Sequence, residues 1–457
     1  MSVPEIEQQI GIETYLTQTP GIGGAIRKSV EDFIVEEVLI DGSKATIERN
    51  EAKPALGAKQ TKQRFVLGIL VKRNWDTFIA LKNLAQQLDL PQSCIQIAGI
   101  KDAKAITAQH ITIEGTSLEN TAKINLKDVE IRSVGYFHEP LCSFYLLGNN
   151  FRIRIKGINC QKEEVQERIE KVAYEINDTG GIPNFYGHQR FGTTRAITHL
   201  VGKALVQGNI QEAAMLLLAK PSIYEHPGSM KARSELQATQ DFKQALQNFP
   251  VQLRFERMML GYLVDNTGDF SGAFRILPLK LRMLFVQAWQ SFLFNRFLSS
   301  RIKNGFSLSK AEVGDFVVNV ERSGLPLIRS SKIVDSCNVN EINKAIIAGK
   351  LRIALPIFGA KQKLSKGVMG EIETRILDEE NVEAQEFRVS FMPEISGKGE
   401  LRAVVCPIKN FDNLIFQDNN KLGLSEAHLE FTLFRGAYAT VLLREIMKPE
   451  DLIKAGF

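Results

Sequence analysis

Apolar residues recur along this chain with two periods. Alternation predicts strands over 34–40 and 64–71, over 110–113 with Ile111 and Ile113, and over 429–433 with Leu429, Phe431 and Leu433. Between them, Phe151, Ile153 and Ile155 alternate with Arg152, Arg154 and Lys156, the pattern of a half-buried strand. A period near 3.6 predicts helices. One runs over 75–88 behind an Asn74 cap, with Trp75, Phe78, Leu81, Leu84, Ala85 and Leu88 on one stripe, and Pro91 ends it. Another runs over 163–177 with Val165, Ile169, Val172 and Ile176, closed by Gly180, Gly181 and Pro183.

Short strands at 95–98 and 317–320 flank longer stretches of other texture, and 99–107 reads as a loop. From about residue 200, helical patterns dominate at 211–219, 231–248, 279–303 and 341–348, and a last helix covers 437–447. Runs of strands and runs of helices in one chain place it in the α+β class, with mixed, largely antiparallel sheet and a more helical middle. No internal repeat or low-complexity linker divides the 457 residues, a length that predicts two or three domains.

Composition removes several classes. With 44% hydrophobic and 24% charged residues the chain is neither disordered nor a disulfide scaffold. Cys94, Cys142, Cys160, Cys337 and Cys406 are scattered without a C-x-x-C pair, which predicts a reducing, cytoplasmic setting. No signal sequence is expected at the N-terminus, and no apolar run reaches the ~18 residues of a membrane span. No His or Cys pair has metal-ligand spacing, Gly21–Gly24 lacks the Gly-Lys-Ser/Thr of a P-loop, and Ser300 with Lys303 has no partner motif.

Charge adds a hint. The net charge is +5, and residues 51–110 alone hold nine Lys/Arg against four Asp/Glu. Residues 179–211 contain no carboxylate, but do contain His188, Arg190, Arg195, His199 and Lys203. Such stretches suit a groove for a phosphate backbone, although ordinary solvated faces look the same.

Three segments carry candidate chemistry. In Gly99-Ile100-Lys101-Asp102-Ala103-Lys104 a carboxylate sits between two lysines after a short strand. Cations keep such a group ionised for work as nucleophile or base; the plainer reading is a surface turn with a local ion pair. In Pro183-Asn184-Phe185-Tyr186-Gly187-His188-Gln189-Arg190-Phe191-Gly192, aromatic faces can stack on bases, amides can read base edges and Arg190 can meet phosphate. The same aromatics would equally serve a core strand. In Arg27-Lys28-Ser29-Val30-Glu31-Asp32-Phe33, an extended backbone would put Arg27 and Phe33 on one face.

Together these segments resemble the TruD family of tRNA pseudouridine synthases. The resemblance rests on Glu31-Asp32-Phe33, on Gly99-x-Lys101-Asp102-x-x-Ala105-x-Thr107-x-Gln109, on Pro183-Asn184-x-Tyr186-Gly187-x-Gln189-Arg190-Phe191-Gly192 and on Gly436-Ala437-Tyr438-Ala439-Thr440-x-x-x-Arg444-Glu445. Gly314-Asp315 and Ala354-Leu355-Pro356 look like pieces of the family's inserted domain.

The resemblance implies a pseudouridine-synthase catalytic domain from 1–210 and 401–457, an inserted α/β domain over 211–400, and RNA in the cleft between them. It implies isomerisation of a tRNA uridine, usually uridine 13, without a cofactor or metal. Asp102 is then the catalytic carboxylate and Tyr186 the base-stacking aromatic, while Phe33, Asn184 and Tyr438 match substrate-pocket positions. Lys101, Gln189, Arg190 and Arg444 are carried over as further substrate-binding candidates. The family's usual Lys-x-x-Pro-Glu-Asp-Phe departs here: its lysine, partner of the catalytic carboxylate, falls on Arg27, and its proline on Val30. The implied partner is tRNA or another structured RNA. The chain is expected to be a cytoplasmic monomer needing no protein partner and no membrane. The competing readings are an RNA-binding protein that keeps the pocket without turnover, a synthase acting on another RNA, and an interaction protein unrelated to RNA.

Overall fold

The structure, a computed structural model, describes residues 2–48, 55–417 and 424–457. Its main sheet is built from β1 (Phe33–Leu39), β2 (Phe65–Arg73), β3 (Ile95–Ile97), β4 (Ile106–Glu114), β5 (Val129–Phe137) and β6 (Leu146–Ile158). The two-residue β7 (Ile182–Pro183) follows. A second sheet is formed by β8 (Phe316–Val320), β9 (Pro326–Ile333), β10 (Leu351–Ile357) and β11 (Glu400–Ala403). The two-residue β12 (Val405–Cys406) pairs with β7, and β13 (Ile408–Gln417) and β14 (Ser425–Phe434) complete the main sheet.

Among the described residues the main sheet has eight strands in the order β13-β14-β6-β1-β4-β2-β5, with β3 on β4. The pairing of β1 with β4 is parallel, Ile34 opposite Ile106, and every other pair is antiparallel. That single parallel pair positions the site. It sets the starts of β1 and β4 side by side, so the segments that lead into them, 27–32 and 99–105, meet at one end of the sheet.

The elements depart from the sequence pattern where polar residues are buried. β4 begins at Ile106 rather than at His110, because Thr107, Gln109 and His110 are buried and break the apolar period. The cap of the helix Thr77–Gln87 is Asp76, which accepts from Phe78 N and Ile79 N; Asn74 is left-handed with φ +54°. Phe78 accordingly faces solvent. The expected helix over 231–248 is two helices, Pro227–Thr239 and Phe242–Asn248, divided by left-handed Gln240 and a capping Asp241.

The helix Leu279–Lys303 is buried on nearly all sides from Phe285 onward, polar Gln290, Asn295 and Arg301 included, because it is the spine of the molecule. It packs on the helices Thr198–Val206 and Gly367–Glu379 and on β10. A Cβ at Gly202 would collide with the Phe285 carbonyl, so only glycine allows this helix crossing. At its end, buried Arg301 holds buried Asp315 with two bonds, at 2.7 and 2.8 Å. No helix among the described residues is long and apolar enough to cross a membrane.

Candidate active site

Parallel pairing brings two loops together, and the side chains they carry meet. Arg27 Nη2 lies 3.2 Å from Asp102 Oδ1, and Arg27 Nη1 donates to the Gly456 carbonyl at 3.0 Å. The same guanidinium covers the Phe33 ring, 3.9 Å from its centroid. The route to this contact is not the extended strand that alternation predicts. Val30–Asp32 is a single 3-10 turn capped by Ser29, and Arg27 is left-handed with φ +55°. Lys28 is exposed, with its Nζ against Gly157. Burial lowers the Arg27 guanidinium from its ordinary value, and Asp102 opposes that shift. A guanidinium still stays charged, so the pair is ionic.

Asp102 opens into a cavity of about 330 Å³. Its floor is one face of the sheet, Phe33 and Val35 from β1 with Asn149 and Phe151 from β6. Phe151 meets Phe33 edge-on at 6.3 Å and stacks on Phe431 at 5.4 Å, so an aromatic row runs across three strands. Tyr438, Ala439, Thr440 and Gln189 form the opposite wall. Burial raises the Tyr438 phenol, which stays neutral at physiological pH. The cavity thus joins flat aromatic and aliphatic walls to a few polar groups, Asn149, Gln189 and Thr440, with one carboxylate at its mouth. A second cavity of about 340 Å³ shares Arg27, Asp102 and Gln189 and continues toward Lys104, Thr193 and Phe457.

The Asp102 turn is pinned from beneath. Lys72 Nζ donates to the carbonyls of Asp102 (2.6 Å) and Trp75 (2.8 Å), Thr77 Oγ1 donates to the Lys101 carbonyl (3.0 Å), and Gln109 Nε2 donates to Gly99 (3.0 Å). Lys101 Nζ lies 2.6 Å from Glu37 Oε1, and Glu37 also accepts from His110 N at 2.9 Å. Burial acts to raise Glu37, but Lys101 and His110 together hold it below the usual carboxylate range. Lys72, Thr77 and Glu37 escaped sequence reasoning because a charged or hydroxyl residue in a strand or a helix start reads as solvent-facing.

The remaining candidates divide. Gln189 and Tyr438 line the cavity, and Lys101 reaches its edge with its ammonium committed to Glu37. Tyr186 stands next to it, edge-on to Tyr438 at 6.2 Å, and borders a larger cleft of about 730 Å³ with Arg190. Arg402 of β11, which sequence reasoning did not single out, lies over the Tyr186 ring at 4.1 Å. Asn184 does not face the cavity: its Nδ2 donates to Ala403 O at 2.9 Å and its Oδ1 accepts from Arg402 at 2.7 Å. Arg190 is held by Ser291 (3.1 Å) and Gln287 (3.3 Å).

Arg444 lies outside the site altogether. It is buried, binds both Glu7 oxygens at 2.8 Å, and also meets Glu445 and the Thr14 carbonyl. Burial opposes its charge, but Glu7 and Glu445 outweigh that and raise it. Its role is to lock the N-terminal segment to the helix Ala439–Met447.

The charge reading narrows in the same way. Within 179–211, His188 and His199 are buried, Arg195 donates to the carbonyls of Leu216 and Leu217, and Lys203 pairs with Glu380. These groups stabilise the fold instead of facing a phosphate backbone. Within 51–110, Lys72 and Lys101 are buried, while Lys59, Lys62, Lys82 and Lys104 are exposed; residues 51–54 lie outside the described residues. No group of His, Cys, Asp and Glu among the described residues could hold a metal ion.

Comparison with known proteins extends over the whole chain. The family described as tRNA pseudouridine synthase D (TruD) matches residues 9–446. A Methanosarcina acetivorans protein named "Probable tRNA pseudouridine synthase D" is 40% identical over 453 residues, covering 99% of each chain. A Pyrococcus abyssi protein of the same name is 36% identical over 434 residues, covering 95% of this chain and 98% of its own. The crystal structure of a TruD-type protein from Methanosarcina mazei superimposes with a TM-score of 0.82 at 39% identity, over 98% of this chain and 99% of that one.

Proposed function

This chain belongs to the TruD family of tRNA pseudouridine synthases, and from that premise we propose that it isomerises uridine 13 of tRNA to pseudouridine, with Asp102 as the catalytic carboxylate. The observation that carries the reading is the Arg27–Asp102 ion pair at the mouth of a flat, aromatic-floored cavity. The reaction breaks the N1–C1′ glycosidic bond, turns the uracil and joins C5 to C1′; the proton lost from C5 is balanced by one gained at N1. Its intermediates need a place where a detached base can turn without diffusing away. An aromatic-floored pocket supplies that by holding the ring between the Phe33–Phe151 floor and the Tyr438 wall.

Each group then has a role. The target uridine leaves its stack and enters between the Phe33–Phe151 floor and the Tyr438 wall. Asp102 acts on the sugar side of the glycosidic bond, and Arg27 holds it aimed through their ion pair. Tyr186, backed by Arg402, offers a stacking face at the edge of the cavity. Gln189 offers an amide to the rim of the base. In this reading residues 1–210 and 401–457 form the catalytic half, residues 211–400 the inserted half, and tRNA lies in the cleft between them.

The test is to incubate purified protein with unmodified tRNA transcripts and map pseudouridine chemically. Wild-type protein should modify position 13, and Asp102→Asn should lower turnover by about a thousandfold or more while still binding tRNA. An Asp102→Asn protein retaining even about a tenth of wild-type turnover would remove Asp102 from the chemistry.

A further inference from the structure

Lys72 is fully buried within β2, and among the described residues its ammonium makes no ion pair. Its two acceptors are main-chain carbonyls, of Trp75 at 2.8 Å and of Asp102 at 2.6 Å. Burying an ammonium is costly, and two carbonyls return less than a carboxylate would. A Met or Leu would suit the packing of a strand interior better. The residue opposite it on β4 is Thr107 and on β5 is Val129, neither of them charged. What the ammonium does reach is the backbone of the one residue whose carboxylate faces the cavity.

We propose that Lys72 is a positioning residue for Asp102, fixing the turn from beneath so that the carboxylate stays against Arg27 and aimed into the cavity. The proposal rests on the reading of Asp102 as the catalytic group. Asp102 itself is joined to the rest of the protein by the Arg27 bond on its side chain and the Lys72 bond on its carbonyl. The rest of the turn is held through its other residues, Lys101 by Thr77 and Glu37 and Gly99 by Gln109. Without Lys72, the carbonyl of Asp102 would have to find water and the peptide would be free to rotate.

The ammonium also titrates where activity can be followed. Burial lowers Lys72 to about 8, against the favourable fields of Asp102 and Asp76 and with Lys101 adding to the shift. Above that pH the group is an amine, whose hydrogen bonds to carbonyls lose their charge assistance. An arginine at the same position stays charged throughout.

The experiment measures single-turnover rates on an unmodified tRNA transcript from about pH 6.5 to about pH 9.5 for wild type, Lys72→Met, Lys72→Arg and Asp102→Asn, with tRNA affinity in parallel. Wild type should decline above about pH 8. Lys72→Met should be slowed about thirtyfold at neutral pH with affinity changed less than about twofold, since it removes orientation and not binding. Lys72→Arg should recover most of that rate and lose the alkaline decline. Lys72→Met within about twofold of wild type, or an alkaline decline unchanged in Lys72→Arg or absent from wild type, overturns the proposal. If Lys72→Met fails to fold by circular dichroism, the wild-type and Lys72→Arg profiles decide. An inactive Asp102→Asn beside any of these overturning results removes Lys72 alone, whereas an active Asp102→Asn removes the functional reading beneath it.

Discussion

Arg27 and Asp102 stand 75 residues apart in sequence and meet at 3.2 Å because β1 and β4 run parallel from the same end of the sheet. The loops before the two strands share that end, and each delivers one charge. Arg27 does so from a left-handed backbone, a conformation that costs an arginine free energy. The cost is offset by three contacts at once: the Asp102 carboxylate, the Gly456 carbonyl and the Phe33 face.

Replacing Arg27 should therefore harm turnover more than binding. Arg27→Ala should lower kcat by about a hundredfold, the scale of losing one charged group that orients a reacting one. Arg27→Lys should recover part of the loss, because a lysine restores the charge but not the flat cover on Phe33 or the second donor for Gly456. Lys28→Ala should leave kcat near wild type, since Lys28 Nζ rests against Gly157 and away from Asp102. Rate measurements on the three variants distinguish these roles; normal turnover in Arg27→Ala would dissolve the pair as a functional unit.

The chain's last residues are part of the same device. Gly456 is left-handed with φ +90°, and a Cβ there would collide with the Ile26 carbonyl. Ile26 N in turn donates to Ala455 O at 2.9 Å. Gly456→Ala should push the tail off Ile26 and displace Arg27, lowering kcat by about tenfold while the melting temperature falls by only a few degrees. Kinetics and a thermal melt measured on the same preparation check this, and unchanged kcat would show that Arg27 does not depend on the tail.

Legibility in sequence followed burial. The alternating Phe151, Ile153 and Ile155 and the helix Leu279–Lys303 could be read because their apolar positions are regular or continuous. β5 could not: its pattern in Val129–Phe137 is polar and half-buried in the middle, and β4 hides Thr107, Gln109 and His110 in the interior. Asp102, Phe33 and Tyr438 were legible through their motifs, and they line one cavity. Arg444 shares a motif with Tyr438 but points the other way, into Glu7 and Glu445. Lys72, Glu37 and Arg402 were not legible, because nothing local shows that a charged residue in a strand is buried against a distant turn.

Tyr186 separates stacking from proton transfer. Arg402 already covers one face of its ring, at 4.1 Å, and also holds Asn184 and the Gly436 carbonyl. Arg190 lies over the same ring at 5.5 Å, so a base would use what the two arginines leave open. Tyr186→Phe should keep most activity, while Tyr186→Leu should lose about 1–3 kcal/mol of base stacking. Arg402→Ala should resemble Tyr186→Leu, because it removes the support that fixes the ring. Equal loss in the Phe and Leu variants would make the phenol, and not its face, the working part.

Stability should respond to pH at Glu373, far from the chemistry. This carboxyl is buried in the helix Gly367–Glu379 and accepts from Ser365 N and Ser365 Oγ, both at 2.7 Å. Burial pushes it up to about 7; the Ser365 bonds work against the shift, Asp315 adds to it and Arg301 reduces it. In the unfolded chain the same group titrates near its ordinary value of 4.5. Between those two values the folded state holds the proton and the unfolded state releases it. The folded protein is thus favoured fully below about pH 4.5 and loses that advantage as pH rises through about 7, in total on the order of 3 kcal/mol. Glu373→Gln keeps the shape, with its amide oxygen free to accept from Ser365 N and its NH2 free to donate to Ser365 Oγ, and cannot titrate. Denaturant melts at about pH 5 and about pH 8 should show the variant close to wild type at the lower value and more stable than wild type at the higher one. A gap of the same size at both pH values would mean that Glu373 carries its charge in the folded protein.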